Sequence, residues 1–315
     1  MTFWKNSRVL LTGATGFLGK NLTPALLATG AELRTVSRNS PHGINSAHVD
    51  LSVFGYYDIF SGVDTVIHAA GNVGGIDYNL QHQTDIFFTN IQMFNTVLAN
   101  IQKYQIPNLV LISSACVYAA NAPVPTYEDS GYSDVPESSN SGYGWAKRYM
   151  ELAAVKIPNL NVAIFRPSNM YGPHDKFDPQ TAHVVAALIT KCDHATDKLE
   201  LWGTGKSTRA LLYIEDAVSG IITLTPKGFN LGPINLCSRE EISTYDLARL
   251  IVTMMHKNIE VVLNPDKPAG YARRLSATDK AIKLGFLPKY TLTKGIGKTI
   301  AFYRQVYGGS ACAKF

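Results

Sequence analysis

The chain has 315 residues, of which 46% are hydrophobic and 17% are charged, and its formal net charge is +5. This length and composition are typical of a globular protein that buries a large core and carries a second lobe. Apolar runs such as 161–165 and 183–189 are far shorter than the roughly 20 residues of a membrane-spanning helix. Basic residues are spread along the chain without basic runs, so neither a membrane nor a nucleic acid is an expected partner.

The cysteines indicate a reducing compartment. Cys116, Cys192, Cys237 and Cys312 are too few and too scattered for a disulfide framework, and no C-x-x-C pair suggests zinc. No metal site is predicted. The N-terminus lacks the charged start and apolar block of a signal peptide. We therefore expect a cytoplasmic protein with reduced thiols.

Short β-branched runs alternate with amphipathic stretches from residue 8 to about residue 167, a pattern that predicts βαβ units and a parallel sheet. The predicted strands are 8–11, 32–37, 47–49, 65–68, 109–113 and 162–166, and the predicted helices include 84–104 and 141–155. The regularity then ends, and the next predicted elements are a helix near 182–191, a strand at 199–202 and a helix at 245–256.

The predicted fold class is α/β. We expect a Rossmann-type doubly wound parallel sheet from residues 1–168 and about 210–238. A smaller C-terminal α/β substrate domain is expected from about 169–209 and 239–315. The boundary between the two domains is therefore predicted to be interleaved.

A glycine-rich turn follows the first predicted strand and opens a helix. Gly13 permits a tight turn, Gly16 allows a pyrophosphate to approach the backbone, and Gly19 allows close helix packing. The helix N-terminus adds N–H groups and a positive dipole. This context predicts a dinucleotide cofactor.

The end of the second strand indicates which dinucleotide. Ser37-Arg38 stands where an NAD-binding protein normally has an acid that holds the ribose hydroxyls. A guanidinium there can bind a 2′-phosphate, which favours NADP(H), although Arg38 could also be a solvated loop charge. Asp50, followed by Leu51, is placed to contact the adenine amine or, alternatively, to cap a helix.

Tyr143 and Lys147 lie at i and i+4 on a predicted helix and can therefore face one cleft. We expect the ammonium group to lower the pKa of the tyrosine and to make it an acid or base near neutrality. Ser114 lies where the fifth strand leaves the sheet, at the carboxyl edge where such sheets bind ligands.

Gly13, Gly16, Gly19, Ser114, Tyr143 and Lys147 together resemble the extended short-chain dehydrogenase/reductase family. The resemblance covers nearly the whole chain and includes 166–173, 202–205 and 279–286. Segments 73–76, 85–90, 171–177 and 183–185 are most similar to members that epimerise and reduce GDP-4-keto-6-deoxy sugars. The resemblance thus implies an enzyme that acts on a GDP-sugar or another nucleotide-sugar.

The resemblance also implies site residues. Cofactor contacts are expected from Gly13, Thr15, Gly16, Phe17, Leu18, Gly19, Arg38, Asp50, Leu51, Ala69, Ala70, Lys147 and His183. Substrate contacts are expected from Gly75, Asn169, Lys191, Trp202 and Arg209. Lys191 stands where these relatives usually have arginine, which keeps the charge but weakens two-point recognition of a phosphate.

In these relatives a cysteine two residues after the catalytic serine and a histidine before a valine perform the epimerisation, and they match Cys116 and His183. The chemistry agrees, because a 4-keto group acidifies C3 and C5, so sulfur can remove a proton there and imidazole can return one. With Ser114, Tyr143 and Lys147, they are the predicted catalytic residues.

Several alternatives stay open. Ala119 replaces a proline that is usual in these relatives, and 120–140 match them poorly, so the sugar is undecided. The enzyme could be a 4-reductase only or an epimerase only on a related 4-keto nucleotide-sugar. A non-catalytic dinucleotide-binding scaffold is a more distant alternative. A homodimer is implied by the resemblance alone.

Overall fold

The structure, a computed structural model, describes residues 2–39, 45–178, 180–267 and 272–308. Cys312 lies outside them. The strands are β1 (Arg8–Thr12), β2 (Glu32–Ser37), β3 (Asn45–His48), β4 (Thr65–His68), β5 (Asn108–Ile112), β6 (Asn161–Pro167), β7 (Asn169–Tyr171), β8 (Lys198–Trp202), β9 (Thr208–Tyr213), β10 (Pro233–Leu236), β11 (Glu241–Ser243), β12 (Glu260–Asn264) and β13 (Arg273–Arg274). The α-helices are α1 (Phe17–Ala28), α2 (Ile76–Gln81), α3 (Gln83–Lys103), α4 (Ser141–Ala154), α5 (Val184–His194), α6 (Ile214–Gly228), α7 (Thr244–Met254), α8 (Asp279–Lys283) and α9 (Leu292–Tyr307).

A parallel sheet forms the centre of the molecule. Within the described ranges it has seven strands in the order β10-β6-β5-β4-β1-β2-β3, and every adjacent pair is parallel. The chain starts in the middle of the sheet, adds strands outward in one direction, and then returns to the other side of β1. This reversal of strand order creates a crevice at the carboxyl ends of the strands. The predicted Rossmann-type α/β fold is confirmed.

Both faces of the sheet are covered, which explains why its strands are apolar on both sides. Val9 and Leu11 of β1 belong to the core that includes residues of α1 and α6, whereas Leu10 belongs to the core that includes residues of α3 and α4. This alternation follows from the two-residue period of a strand. The helices thus anchor the sheet from two sides. No helix among the described residues is long and apolar enough to cross a membrane.

Two smaller sheets lie in the second half of the chain. Strand β9 pairs with β7, β11 and β13, and β8 pairs with β12. The chain then continues through α6 and joins the large sheet again with β10. The division into two domains remains a prediction.

The predicted strands and helices are found with small shifts at their ends. The largest relative shift is in the short third strand, which spans Asn45–His48 and was expected at 47–49. The helix predicted near 182–191 starts at Val184, so His183 is its N-cap residue. This difference changes how the His183 side chain is held, because an N-cap residue is fixed by the preceding loop as well as by the helix.

A buried ion pair joins α4 to the sheet. Glu151 of α4 and Arg166 of β6 form a bidentate salt bridge with an Nη2–Oε2 distance of 2.7 Å, and both side chains are 1% exposed. Ser113 donates a hydrogen bond to Oε1 of Glu151, and Tyr132 donates one to Oε2 at 2.6 Å. Arg166 also donates to the Tyr118 hydroxyl at 3.1 Å. The charges are therefore fully paired and hydrogen-bonded away from water.

The Arg166→Met variant should lose about 3–5 kcal/mol of unfolding free energy, because it leaves the Glu151 carboxylate buried without its partner. Urea unfolding measures the loss. Arg8→Met is the matched control, since it breaks the Arg8–Asp64 bridge, whose side chains are 47% and 36% exposed, and it should lower the unfolding free energy far less, because solvent screens an exposed pair. Equal losses in both variants would contradict a dominant role for the buried pair.

Candidate active site

A cleft of about 1020 Å³ opens at the carboxyl edge of the large sheet. Its walls come from the loops after β1, β2, β4 and β5, from the start of α4 and from the smaller sheets. All of the residues predicted to bind cofactor, to bind substrate or to catalyse line this one cleft. The structure therefore brings them together, while their individual roles remain predictions.

The glycine-rich turn has the shape that a pyrophosphate requires. Gly13 has a φ of +74°, and a Cβ there would lie 2.7 Å from the Ala70 backbone. A Cβ on Gly19 would lie 2.2 Å from the Gly13 carbonyl oxygen, so both positions exclude a side chain. Helix α1 has Gly16 as its N-cap, no side-chain cap and no acid in its first turn. Its first N–H groups are thus available to an anion, and Thr15, Phe17, Leu18 and Ala69 line the same part of the cleft.

The far end of this region holds the residues expected around adenosine. Arg38 is exposed at the cleft just after β2, opposite Asp50 and Leu51. Asp50 does not cap a helix: its Oδ1 accepts hydrogen bonds from the backbone N and the Oγ of Ser52, at 2.9 and 2.7 Å. These bonds lower the pKa of Asp50, opposed by burial, and Arg38 lowers it further. The carboxylate is therefore a fixed acceptor beside a cation.

Ser114, Tyr143 and Lys147 all line the cleft. Lys147 is buried on α4, and its Nζ donates to the Ile112 carbonyl at 2.8 Å and lies 5.4 Å from the Tyr143 ring centroid. Ser114 ends the β5 segment, and its Oγ accepts a hydrogen bond from the backbone N of Cys116 at 3.1 Å. Burial lowers the pKa of Lys147 to about 8, against the opposing charges of Glu151 and Cys116.

The expectation that Lys147 lowers the pKa of Tyr143 is wrong for this structure. Burial raises the pKa of the Tyr143 phenol well above its usual value, and the nearby Cys116 raises it further. The charge that opposes this shift belongs to Arg274 of β13. Since desolvation penalises the charged phenolate more than one cation compensates, the phenol remains protonated at neutral pH.

Cys116 and His183 face the same cleft from opposite halves of the chain. Cys116 lies in the short turn that Ser114 caps and is partly accessible. His183 is 36% exposed, and its Nδ1 lies 2.9 Å from Oδ1 of Asp175. Its ring centroid lies 6.4 Å from that of Phe17, which follows the glycine turn. His183 is thus within the cleft, close to the cofactor-binding turn.

The remaining predicted residues form the outer end of the cleft. Lys191 lies with its Nζ 4.8 Å from the Trp202 ring centroid, a cation–π distance. Gly75 donates its N–H to the Thr181 carbonyl at 3.1 Å, and Asn169 lies on β7. Arg209 is buried on β9, where its Nη1 donates to the Thr208 carbonyl at 2.8 Å. Cationic groups at this end suit an anionic ligand such as a diphosphate.

Two cleft residues were missed in the sequence. Arg274 is the register partner of Arg209 on the neighbouring strand, whereas the adjacent Arg273 pairs with Glu241 outside the cleft. Strand alternation explains why only one of the two consecutive arginines lines the cleft. Asp175 was missed because it lies eight residues before His183 in an irregular loop, and no periodic pattern links the two.

Comparisons with known proteins agree with this geometry. The model of the NAD dependent epimerase/dehydratase family matches residues 9–237. GDP-L-fucose synthase from Sinorhizobium fredii is 31% identical over 245 residues, covering 74% of this chain and 77% of that protein. dTDP-4-dehydro-6-deoxy-D-allose reductase from Streptomyces bikiniensis is 27% identical over 96% of this chain and 98% of that protein. The structure of a GDP-L-fucose synthetase from Naegleria fowleri bound to NADP has a TM-score of 0.81 at 23% identity and covers 96% of both chains.

The chain belongs to the NAD dependent epimerase/dehydratase family, because the family model matches well over half of its length. The predicted extended short-chain dehydrogenase/reductase type is therefore confirmed. The prediction of a dinucleotide-dependent enzyme is confirmed as well. The alternative of a non-catalytic dinucleotide-binding scaffold is therefore set aside.

Replacing Arg38 tests which dinucleotide the cleft prefers. The Arg38→Ser variant should bind NADPH roughly 10- to 100-fold more weakly and NADH almost unchanged, because one charge-assisted contact to the 2′-phosphate is lost. Fluorescence titration of both cofactors measures the ratio. Arg34→Ser is the control, since Arg34 is on the same strand but donates to the Ile59 and Ser61 carbonyls away from the cleft. An unchanged NADPH-to-NADH preference in Arg38→Ser would mean that Arg38 is a solvated loop charge.

Proposed function

We propose that this enzyme uses NADPH to convert a GDP-4-keto-6-deoxy sugar by 3,5-epimerisation and reduction of the C4 ketone. The observation that supports this proposal most is that Cys116 and His183 share one cleft with Ser114, Tyr143 and Lys147. A simple reductase needs only Ser114, Tyr143 and Lys147. The names of relatives such as the S. fredii GDP-L-fucose synthase point to the same substrate class.

In the epimerisation, the sulfur of Cys116 removes a proton from the carbon next to the ketone, and the electron pair of that C–H bond moves onto the C4 oxygen. Ser114 and Tyr143 stabilise the resulting enolate by hydrogen bonds. The imidazole of His183 then returns a proton to the same carbon on the opposite face, which inverts it. The two steps together need no net oxidant.

In the reduction, the bound nicotinamide supplies a hydride to C4. Tyr143 donates its phenolic proton to the C4 oxygen, so that the ketone becomes an alcohol. Because burial keeps this phenol protonated, it is ready to act as the donor. The cation of Arg274 stabilises the phenolate that remains.

The outer end of the cleft holds the nucleotide diphosphate in this proposal. Arg209 lies on β9, and the Lys191 ammonium lies beside the Trp202 ring. Guanidinium groups bind phosphate oxygens through two parallel hydrogen bonds.

A 4-reductase that acts on a dTDP-linked ketone is the second candidate. It is favoured by the relative from S. bikiniensis, which aligns over nearly the full length of both chains and is named as a dTDP-4-dehydro-6-deoxy sugar reductase. Such an enzyme would use Ser114, Tyr143 and Lys147 and would leave Cys116 and His183 without a chemical role. The two candidates therefore differ in hydrogen exchange at C3 and C5.

Incubation with GDP-4-keto-6-deoxymannose and NADPH in heavy water separates these activities. Deuterium at C3 and C5, followed by NMR, reports epimerisation, and the loss of nicotinamide absorbance reports reduction. Cys116→Ser should lower exchange by roughly 100-fold or more, and Tyr143→Phe should lower NADPH oxidation by roughly 10²- to 10⁴-fold. The controls are Cys192→Ala, which is buried on α5 outside the cleft, and Tyr149→Phe, which removes an exposed hydroxyl from the same helix as Tyr143.

Each outcome selects one function. Oxidation with exchange supports the epimerase/reductase, oxidation without exchange supports the reductase, and exchange without oxidation supports an epimerase. If the GDP ketone gives neither signal, the same assay with a dTDP-4-keto-6-deoxy sugar tests the second candidate. Absence of both signals with both ketones contradicts the proposed reaction class.

We also propose that the enzyme is a homodimer joined through α3 and α4. These helices pack against each other and leave four large side chains exposed among their described residues, Phe88, Trp145, Tyr149 and Leu152, which are 56%, 42%, 37% and 50% accessible. Apolar side chains grouped on neighbouring helices favour burial against a partner, and a two-fold axis would match this face with itself.

The Leu152→Glu variant should convert the dimer to a monomer, because it places an unpaired charge within an apolar interface. Light scattering coupled to size-exclusion chromatography measures the mass. Leu287→Glu introduces the same charge at a leucine that is 60% exposed outside these helices, and it should leave the mass unchanged. A wild-type protein that is monomeric, or a Leu152→Glu protein that stays dimeric, contradicts this interface.

A further inference from the structure

The loop between β7 and α5 holds a carboxylate directly behind the His183 ring. Oδ1 of Asp175 lies 2.9 Å from Nδ1 of His183. The Asp175 side chain is 1% exposed, whereas that of His183 is 36% exposed. The acid is therefore on the inner side of the imidazole, and the other edge of the ring is accessible from the cleft.

The loop that carries Asp175 is anchored at several points. The Asp175 N–H donates to the Gly172 carbonyl at 3.3 Å, and the Ala182 N–H donates to the Asp178 carbonyl at 2.8 Å. Phe177 packs its ring against those of Tyr303 and Tyr307 at centroid distances of 5.1 and 5.5 Å. At the other end, the His183 carbonyl accepts the Ala187 N–H in the first turn of α5. Both members of the pair are thus fixed by backbone contacts.

The two carboxylate oxygens of Asp175 differ in their hydrogen bonds. Oδ1 of Asp175 also accepts the Lys176 N–H at 2.8 Å, while Oδ2 is buried with no hydrogen-bond partner. A buried carboxylate without full hydrogen bonding is costly unless its charge is paired. Among the described residues, the His183 ring is the side chain that pairs with the Asp175 carboxylate.

The charged groups that face His183 are Asp175 and Lys176. Burial lowers the pKa of His183, but the charge and the hydrogen bond of Asp175 raise it by more, so the pKa lies above its ordinary value. Lys176 opposes this rise. Because Nδ1 is engaged by a carboxylate, it carries a proton, and the second ring nitrogen is left for exchange with a ligand.

We propose that Asp175 is a positioning residue that holds His183 with Nδ1 protonated and presents Nε2 to the substrate carbon that exchanges its proton. The inference rests on the proposed epimerisation for its chemistry, whereas the coupling between the two side chains can be measured without it. Asp175 touches neither substrate nor cofactor in this role and acts through the imidazole.

The imidazole signals of His183 provide the direct test. Proton–nitrogen NMR of the holoenzyme with NADPH, from about pH 5 to 9, gives the tautomer and the titration midpoint, and a His183→Asn spectrum assigns the signal among the eight histidines. The wild type should show the Nδ1–H tautomer. Asp175→Asn should move the midpoint to lower pH, because it removes the negative charge that favours the imidazolium. Asp178→Asn, an exposed acid in the same loop, is the charge-matched control and should leave the midpoint in place.

The same variants are then assayed for hydrogen exchange. Asp175→Asn should lower deuterium incorporation at C3 and C5 by roughly tenfold or more, and the pH at which exchange falls should move down with the NMR midpoint. Asp175→Glu keeps the charge and should restore the midpoint towards the wild-type value, which loss of structure alone would not do. If Asp175→Asn does not fold, the His183 midpoint in Asp175→Glu still tests the pairing.

The outcomes separate the inference from the proposed function. A His183 midpoint and tautomer that are the same in wild type and Asp175→Asn overturn the inference, whatever the activity. A shifted midpoint in a protein whose wild type exchanges no deuterium supports the pairing and contradicts the epimerisation. A shifted midpoint together with slower exchange supports both.

Discussion

The geometry of the candidate active site depends on one buried ion pair, whose side chains are both shielded from solvent. Glu151 and Arg166 join the helix that carries Tyr143 and Lys147 to the strand beside β5. Two desolvated charges tolerate little displacement, because each lost hydrogen bond leaves a buried ion uncompensated. Ser113, the residue before Ser114, donates to the same carboxylate. The pair therefore fixes α4 and the end of β5 relative to each other.

The Glu151 carboxylate of the same pair also affects the pKa of Lys147. Glu151 lies one helical turn after Lys147, and its negative charge opposes the loss of the Lys147 proton on burial. The same carboxylate is the partner of Arg166 in the buried ion pair. The structural ion pair and the pKa of Lys147 are thus linked through one carboxylate.

Local chemistry made part of this site predictable. The glycine turn, Ser114 and the Tyr143–Lys147 spacing are short-range features, and the strand order follows from the alternation of elements. Arg274, Asp175 and the Glu151–Arg166 pair could not be found in this way, since each depends on contacts between distant segments. Strand β9 shows the same limit, because it is as apolar as a strand of the large sheet and only its pairing shows that it belongs to the smaller sheet.

The direction of the Tyr143 pKa shift could not be predicted from helical spacing. Helical spacing indicates which groups are neighbours, but it contains no information on how much water the fold removes. Burial of Tyr143 outweighs the nearby cation, so the phenol is protonated before the reaction starts. A protonated phenol can donate a hydrogen bond or a proton, which is the role given to Tyr143 in the proposed reduction.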